Sequence, residues 1–344
     1  MKKMILLFAL SLTWTATAQP PVTPVRVAMN GFVADNIIAG SVTAVADKSM
    51  MLSLETTGFA DLEKKTTMPP NAMFWIASMT KPMAAVCVLQ LQEAGKLSID
   101  DPVEKHLPEF AGQWMIESRA KGTLTLKKPT RGITIRDLLT HTSGLPNTNS
   151  PRPESTLAEL VMSYSKTPLQ FEPGSRWSYS NAGINTLGRI VEAVSGTPFA
   201  EFLQAHVLNP CGMKDTTFWP TPAQVKRIAT SYRPGRDGQL ERTEVYFLKG
   251  GLSNRKRTPY PAGGLYSTAT DVVRFYQMML NGGTFKGQRV LKKETAALMT
   301  RTQTGDIKTG FVDGMSWGLG FQVVKTPQGV TSSLSAGTYG HGGV

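Results

Sequence analysis

The sequence has 344 residues and a formal charge of +12, with only two cysteines and four histidines. That length suits one large domain or two small ones, and no low-complexity linker or fixed-period repeat divides it. Such a charge could attract anionic polymers, membranes or nucleic acid, but the densest basic run, Arg255-Lys256-Arg257, has no interleaved aromatic residues to stack on bases. Nucleic acid is therefore not an expected partner.

Residues 1–18 read as an export signal. Lys2 and Lys3 are followed by an apolar run from Ile5 to Trp14 and by the small-residue site Ala16-Thr17-Ala18. The run is too short to span a bilayer, so the mature chain is expected to be periplasmic or secreted, without a stable membrane span. Residues 19–344 are read as one domain. Ser41–Ala46 and Met51–Thr57 have strand character, and an apolar helix runs from about Met79 to Ala94 with Gly95 as its stop. Pro82 falls in its first turn, where no N–H is needed. The middle of the chain reads as helix and loop. Thr156-x-x-Glu159 forms a capping box, Ile184, Leu187, Val191 and Val194 keep helical spacing up to Gly196, and Thr268-x-x-Asp271 opens a further helix. Strand character returns in Leu319–Lys325 and Gly329–Leu334. This order predicts an α/β fold whose sheet is built from both chain ends, with a helical lobe inserted between them. The α/β lobe takes residues 25–95 and 265–344, and the inserted helical lobe about 96–264.

Cys87 lies mid-helix and Cys211 in a Pro-Cys-Gly turn; nothing in the sequence brings them together. The four histidines stand apart, without H-E-x-x-H or paired cysteines, so no metal and no cofactor are expected. Gly314-Met-Ser316-Trp-Gly318 matches a nucleophile-elbow pentapeptide, but no acidic residue lies between Ser316 and His341 and strand sequence follows it. It is read as a decoy.

Ser-x-x-Lys occurs four times, starting at Ser78, Ser118, Ser163 and Ser253, so context must choose. Only Ser78-Met-Thr-Lys81 opens the apolar helix. Positions three apart share a face there, the helix N-terminus favours developing negative charge, and a desolvated lysine can act as a base. The plain alternative is an N-capping serine with an exposed lysine. Tyr179-Ser-Asn181 is the one Tyr-x-Asn in the chain, in a loop before a helix. A tyrosine there could relay the serine proton and an asparagine could hold lysine and substrate; otherwise it is an ordinary turn.

Four segments taken together resemble the serine hydrolases of the class C β-lactamase superfamily, which includes DD-peptidases, D-aminopeptidases and family VIII carboxylesterases. They are Phe74–Lys81, Leu138-Leu-Thr-His-Thr-Ser-Gly-Leu145, Glu172–Asn181 and Ala262–Thr268. The resemblance runs from about Ile38 to the end of the chain. It implies a β-lactamase/transpeptidase-like fold, an antiparallel sheet built from both chain ends with flanking helices, and a third motif, Lys-Thr-Gly or His-x-Gly, on a strand lining the cleft. Lys308-Thr-Gly310 matches the first form but sits in a Gly- and Asp-rich stretch. His341-Gly-Gly343 follows strand-like segments and is preferred. The resemblance also implies a further strand and helix after it, so the chain is expected to be truncated.

The resulting expectation is acyl transfer on Ser78, activated by Lys81 with Tyr179. Asn181 would orient Lys81 and substrate, and the backbone N–H groups of Ser78 and Val344 would form the oxyanion hole. His341 would bond Tyr179 or a substrate carboxylate, and Gly342 and Gly343 would line the substrate site. A histidine is mostly neutral at pH 7, so an esterase or D-peptidase is expected before an efficient β-lactamase, with activity falling between pH 8 and 5 if His341 must be neutral. Substrates would be small esters, β-lactams or peptidoglycan-type peptides. The alternative function is a non-catalytic binder of cell-wall peptides.

Overall fold

The computed structural model describes residues 23–120, 122–147, 153–245 and 251–343. The expected export signal and Val344 lie outside the described residues. Helix α1 (Pro24–Ala34) is capped by the Thr23 hydroxyl, which accepts from the Arg26 amide. It packs on an antiparallel sheet of β1 (Gly40–Ala46), β2 (Met51–Asp61) and β3 (Thr66–Thr67), in the order β1-β2-β3. The two predicted N-terminal strands are thus present and pair with each other, from Gly40 against Gly58 to Ala46 against Met51. A short strand β4 (Phe74–Trp75) leads through a 3₁₀ turn at Ala77–Met79 into helix α2 (Thr80–Glu93).

Helix α2 is the centre of the molecule. Every residue from Thr80 to Leu89 is buried, as expected of a helix that is apolar on all sides. It stops before Gly95, whose φ of +68° suits glycine. The chain then forms a hairpin of β5 (Met115–Ala120) and β6 (Thr123–Lys127), followed by α3 (Ile135–Leu139), α4 (Leu157–Ser165) and α5 (Asn181–Ser195). Both sides of the Thr156 capping box form, and Gly196 ends α5 in the left-handed region. Helices α6 (Phe199–Leu203) and α7 (Pro222–Val225) precede a second hairpin, β7 (Tyr232–Pro234) with β8 (Leu240–Arg242). The stretch expected to hold only helix and loop therefore also carries two hairpins.

Strand β9 (Tyr266–Ser267) returns to pair with β4 beside the 3₁₀ turn. Helix α8 (Ala269–Leu280), capped by Thr268 as predicted, packs against β1. A small hairpin of β10 (Thr284–Phe285) and β11 (Gln288–Arg289) and helix α9 (Lys293–Met299) follow. Strands β12 (Met315–Trp317), β13 (Gln322–Val324) and β14 (Tyr339–Gly340) close the chain as a second three-stranded antiparallel sheet. The strand expected at Gly329–Leu334 is absent. Gly329–Thr331 is a 3₁₀ turn in which Gln328 and Thr331 cap each other, Gly329 has φ +53°, and Val330 is 81% exposed. Its place opposite β13 is taken by β14.

Both chain ends contribute antiparallel sheet, as two separate ladders among the described residues. An apolar groove of about 490 Å³, lined by Val42, Ala44, Val272, Tyr276, Leu280 and Gly343, runs from β1 across α8 to the end of the second ladder. A single cluster of buried apolar side chains extends from Ile76 to Phe321 and joins α2, α3, α5 and α8. Each fully buried leucine in it, such as Leu89, Leu138 or Leu187, contributes roughly 1.5–3 kcal/mol by leaving water. The Ser78 turn is built on this core.

Candidate active site

The turn that carries Ser78 is strained and braced. Ala77 has φ +45°, a conformation that costs a non-glycine residue about 1–3 kcal/mol. The Thr80 hydroxyl donates to the Ala77 carbonyl at 2.7 Å and accepts from the Leu265 amide at 3.3 Å. The Ile76 amide donates to the Leu265 carbonyl at 3.0 Å, and Trp75 Nε1 donates to the Gly263 carbonyl at 2.6 Å. The segment 262–266, singled out in the sequence without a role, is therefore the brace of the nucleophile turn.

Lys81 lies one turn into the core. Its Nζ stands 2.8 Å from Ser78 Oγ and 2.5 Å from the Ala262 carbonyl that accepts from it, and its side chain is fully buried. Burial without a carboxylate partner lowers its pKa well below the ordinary lysine value, because a charged amine there would lose its hydration. The exposed-lysine reading of this motif is excluded. The other Ser-x-x-Lys serines have local employment: Ser163 donates to the Leu160 carbonyl, Ser253 to the Pro220 carbonyl, and Ser118 sits in the exposed hairpin strand β5.

Tyr179 closes the other side of Ser78. Its phenol lies beside the Ser78 side chain, and its ring centroid lies 4.7 Å from Lys81 Nζ. Burial raises the phenol to about 12 against the opposing effect of the nearby Ser78 hydroxyl. Lysine and tyrosine are thus shifted in opposite directions, each toward its uncharged form.

Asn181 differs from expectation. It is the first residue of α5 and exposed, and its backbone amide donates to Asn147 Oδ1 at 2.7 Å. No hydrogen bond joins its side chain to Lys81. That orienting function belongs to the Ala262 carbonyl, and the Ala262 amide in turn donates to Asn185 Oδ1 at 3.0 Å. Asn185 is buried and its Nδ2 donates to the Tyr164 hydroxyl at 3.2 Å. The sequence reading missed Ala262 because a backbone carbonyl has no side-chain signature. Asn185 was within reach as a polar residue on the buried face of α5.

His341 is buried beside the same cluster, its ring centroid 6.1 Å from Tyr179 and 5.7 Å from Trp317. It makes no hydrogen bond to Tyr179. Its Nδ1 pairs with the Gly342 carbonyl at 2.6 Å, and its Nε2 is buried without a partner. Burial pushes its pKa down to about 4, with a smaller contribution from Lys81. The window from pH 8 to 5 expected for its titration thus moves below 5. Gly342 and Gly343 are exposed beside it. A Cβ on Gly343 would stand 2.4 Å from the Ile76 carbonyl, so this chain segment lies directly against the nucleophile turn. Val344, the expected second oxyanion donor, lies outside the described residues.

The rejected candidates lie elsewhere. Ser316 is a buried residue of β12 bonded to the Thr304 hydroxyl at 3.1 Å. Lys308 is on the surface, 88% exposed and paired with Asp313 at 3.0 Å. Cys87 and Cys211 are both buried and free.

A model of the family described as Beta-lactamase matches residues 25–344. An uncharacterized protein of Mycobacterium tuberculosis is 32% identical over 85% of this chain and 76% of its own. Esterase EstB of Burkholderia gladioli is 31% identical over 89% of this chain and 81% of its own. A protein of Escherichia coli (strain K12) bearing the name "Putative D-alanyl-D-alanine carboxypeptidase" is 29% identical over 82% of this chain and 66% of its own. Among solved structures, EstCE1, a hydrolase with promiscuous acyltransferase activity, superposes with a TM-score of 0.75 at 25% identity, over 93% of this chain and 87% of its own. With these motifs in this arrangement, the chain belongs to the β-lactamase family of serine hydrolases.

Proposed function

We propose that the protein hydrolyses neutral carboxylic esters through an acyl-enzyme on Ser78. The observation that carries the reading is the buried Lys81 amine, 2.8 Å from Ser78 Oγ, where desolvation lowers its pKa well below the ordinary lysine value and favours the uncharged form. An uncharged amine has a lone pair for the serine proton as Oγ attacks the ester carbonyl. Tyr179, neutral and beside Ser78, passes a proton to the leaving alkoxide and receives one back from Lys81. Water then repeats the attack on the acyl-serine, giving its proton to the same pair, and Ser78 is regenerated.

The third wall supports esters over carboxylate-bearing substrates. The Gly342 carbonyl can only accept, so His341 Nδ1 carries the ring proton and Nε2 offers only a lone pair. A lone pair repels a carboxylate. Protonation would turn it into a donor, but burial holds that step near pH 4. The esterase of Burkholderia gladioli agrees with this reading, and the Escherichia coli relative marks peptides as the other substrate class to test. Export through residues 1–18 is part of the proposal.

The test is a fluorophosphonate label read by intact mass, alongside turnover of p-nitrophenyl acetate and benzylpenicillin. Label and ester turnover are expected in the native protein and absent in Ser78→Ala, with penicillin turned over poorly. Absence of both from the native protein would favour the non-catalytic binder of cell-wall peptides.

A further inference from the structure

The segment that carries Tyr179 rests on one loop, residues 141–147, which supplies nothing to the chemistry described above. The Ser178 amide donates to the His141 carbonyl at 2.9 Å, and the Ser180 amide donates to His141 Nδ1 at 3.1 Å. Between them, Asn147 Nδ2 donates to the Tyr179 carbonyl at 3.0 Å, and Asn147 Oδ1 accepts the Asn181 amide at 2.7 Å. Two residues of one loop thus hold four consecutive positions, with Tyr179 in the middle. The His141 ring also lies against the phenol, centroids 4.5 Å apart, and is flanked by Trp317 at 4.8 Å and Trp177 at 6.1 Å.

His141 is itself placed with care. It is 1% exposed and adopts φ +60°, a left-handed conformation that a histidine keeps only when its surroundings hold it. The next residue provides the hold. The Thr142 amide donates to the Asp137 carbonyl at 2.9 Å, and the Asp137 carboxylate is gripped at both oxygens by Arg131, at 2.6 and 3.0 Å. Because Nδ1 accepts from an amide, the ring is neutral with its proton on Nε2.

We propose that His141, backed by Asn147, is the positioning residue that sets the Tyr179 phenol against Ser78. The inference rests on the reading of Tyr179 as the proton relay of an acyl-enzyme mechanism. A core histidine that merely satisfies an amide would share the burial, but its loss would not act through Tyr179.

A double-mutant cycle separates the two. kcat and KM for p-nitrophenyl acetate are measured for His141→Leu, His141→Asn, Tyr179→Phe and the His141→Leu/Tyr179→Phe pair, with Ser78→Ala alongside. His141→Leu should lower kcat about 100-fold, the scale of a misplaced catalytic group, with KM changed by less than about threefold. His141→Asn keeps an acceptor and tolerates the left-handed backbone, so its kcat should stay within about tenfold of native. The pair should be no slower than Tyr179→Phe alone. Losses that multiply in the pair, or an unchanged kcat in His141→Leu, would overturn the proposal. Should His141→Leu not fold, the cycle is closed with His141→Asn, whose smaller loss must likewise vanish beside Tyr179→Phe. Ester turnover that survives Ser78→Ala would instead remove the acyl-enzyme reading beneath it.

Discussion

The two sides of the site are built very differently. Ser78 and Lys81 sit at the head of α2, the most deeply buried helix, with the nucleophile turn tied by three hydrogen bonds to the 262–266 segment and by a fourth, from Thr80 to the Ala77 carbonyl, to itself. His341, Gly342 and Gly343 follow β14, a two-residue strand with one neighbour in its ladder among the described residues, and meet the turn where Gly343 lies against Ile76 and Ala77. The nucleophile end is therefore fixed by the core, and changes there alter chemistry without altering the fold. The third wall is fixed by a close approach, so changes there alter geometry and selectivity first.

The largest effects should fall on the core side. Ser78→Ala is expected to abolish ester turnover. Lys81→Met should lower kcat by about 10³–10⁴-fold, the scale of a lost general base. The same change should not weaken the fold. Methionine fills the space of an amine that is desolvated and has no carboxylate partner, so the melting temperature should hold or rise. The pH dependence has a definite sign. The folded pKa of Lys81 lies below the unfolded value of 10.5, so the unfolded chain binds more protons and stability rises with pH up to that value. Native protein and Lys81→Met should accordingly differ most at low pH and converge as pH approaches 10.5. Thermal melts from pH 6 to 10 would show it, and a native protein more stable than the variant at pH 6 would sink the account.

Gly343→Ala probes the other side. The added methyl would meet the Ile76 carbonyl at 2.4 Å, well inside contact distance, so the strand end must move from the nucleophile turn. A loss of about 10- to 100-fold in kcat is expected from that displacement, with little change in melting temperature because the end of β14 carries little of the core. An active Gly343→Ala enzyme would mean that the third wall does not border the reacting ester. Lys308→Ala is the matched control. Its side chain is on the surface, and its loss should leave kcat unchanged.

Much of the first side was legible in the sequence, and the reason is physical. A long apolar run with Gly95 at its end and Ser78-x-x-Lys81 at its start fixes helix, nucleophile and base in one local pattern, because residues three apart meet on a helix. Tyr179 was legible only as part of a motif, since its contact with Ser78 is closed by distant segments. The Ala262 half of the brace could not be read, as it depends on a backbone carbonyl and on contacts between α2, α5 and the 262 segment, whereas Asn185 was within reach as a polar residue on the buried face of α5. The role expected of Asn181 went to that brace for the same reason. The final hairpin was misplaced because Gly329–Leu334 has the composition of a strand, while the local Gln328–Thr331 cap and the exposed Val330 make it a turn. His341 was identified, but burial, which sets its pKa, is a tertiary property.

The smallest predicted effect concerns that histidine. Its folded pKa, about 4, is below its ordinary value of 6.5, so between these values the unfolded chain binds more protons. Its contribution to stability is complete above 6.5 and is lost as pH falls toward 4, by at most about 1.4 kcal/mol per pH unit for one site. His141 carries a shift of the same sign, part of it from His341 itself, so native protein and His341→Gln should be compared directly and the change at His141 adds to the difference in the same direction. The variant should show a shallower fall in denaturation midpoint from pH 6.5 to 4. The same comparison assigns the rate profile. With its titration near pH 4, His341 contributes no limb to kcat/KM between pH 5 and 8, and a limb found there should survive in His341→Gln and belong to Lys81. A limb that disappears with the histidine would mean that His341 titrates several times closer to neutrality than its burial allows, and that the third wall opens to water during turnover.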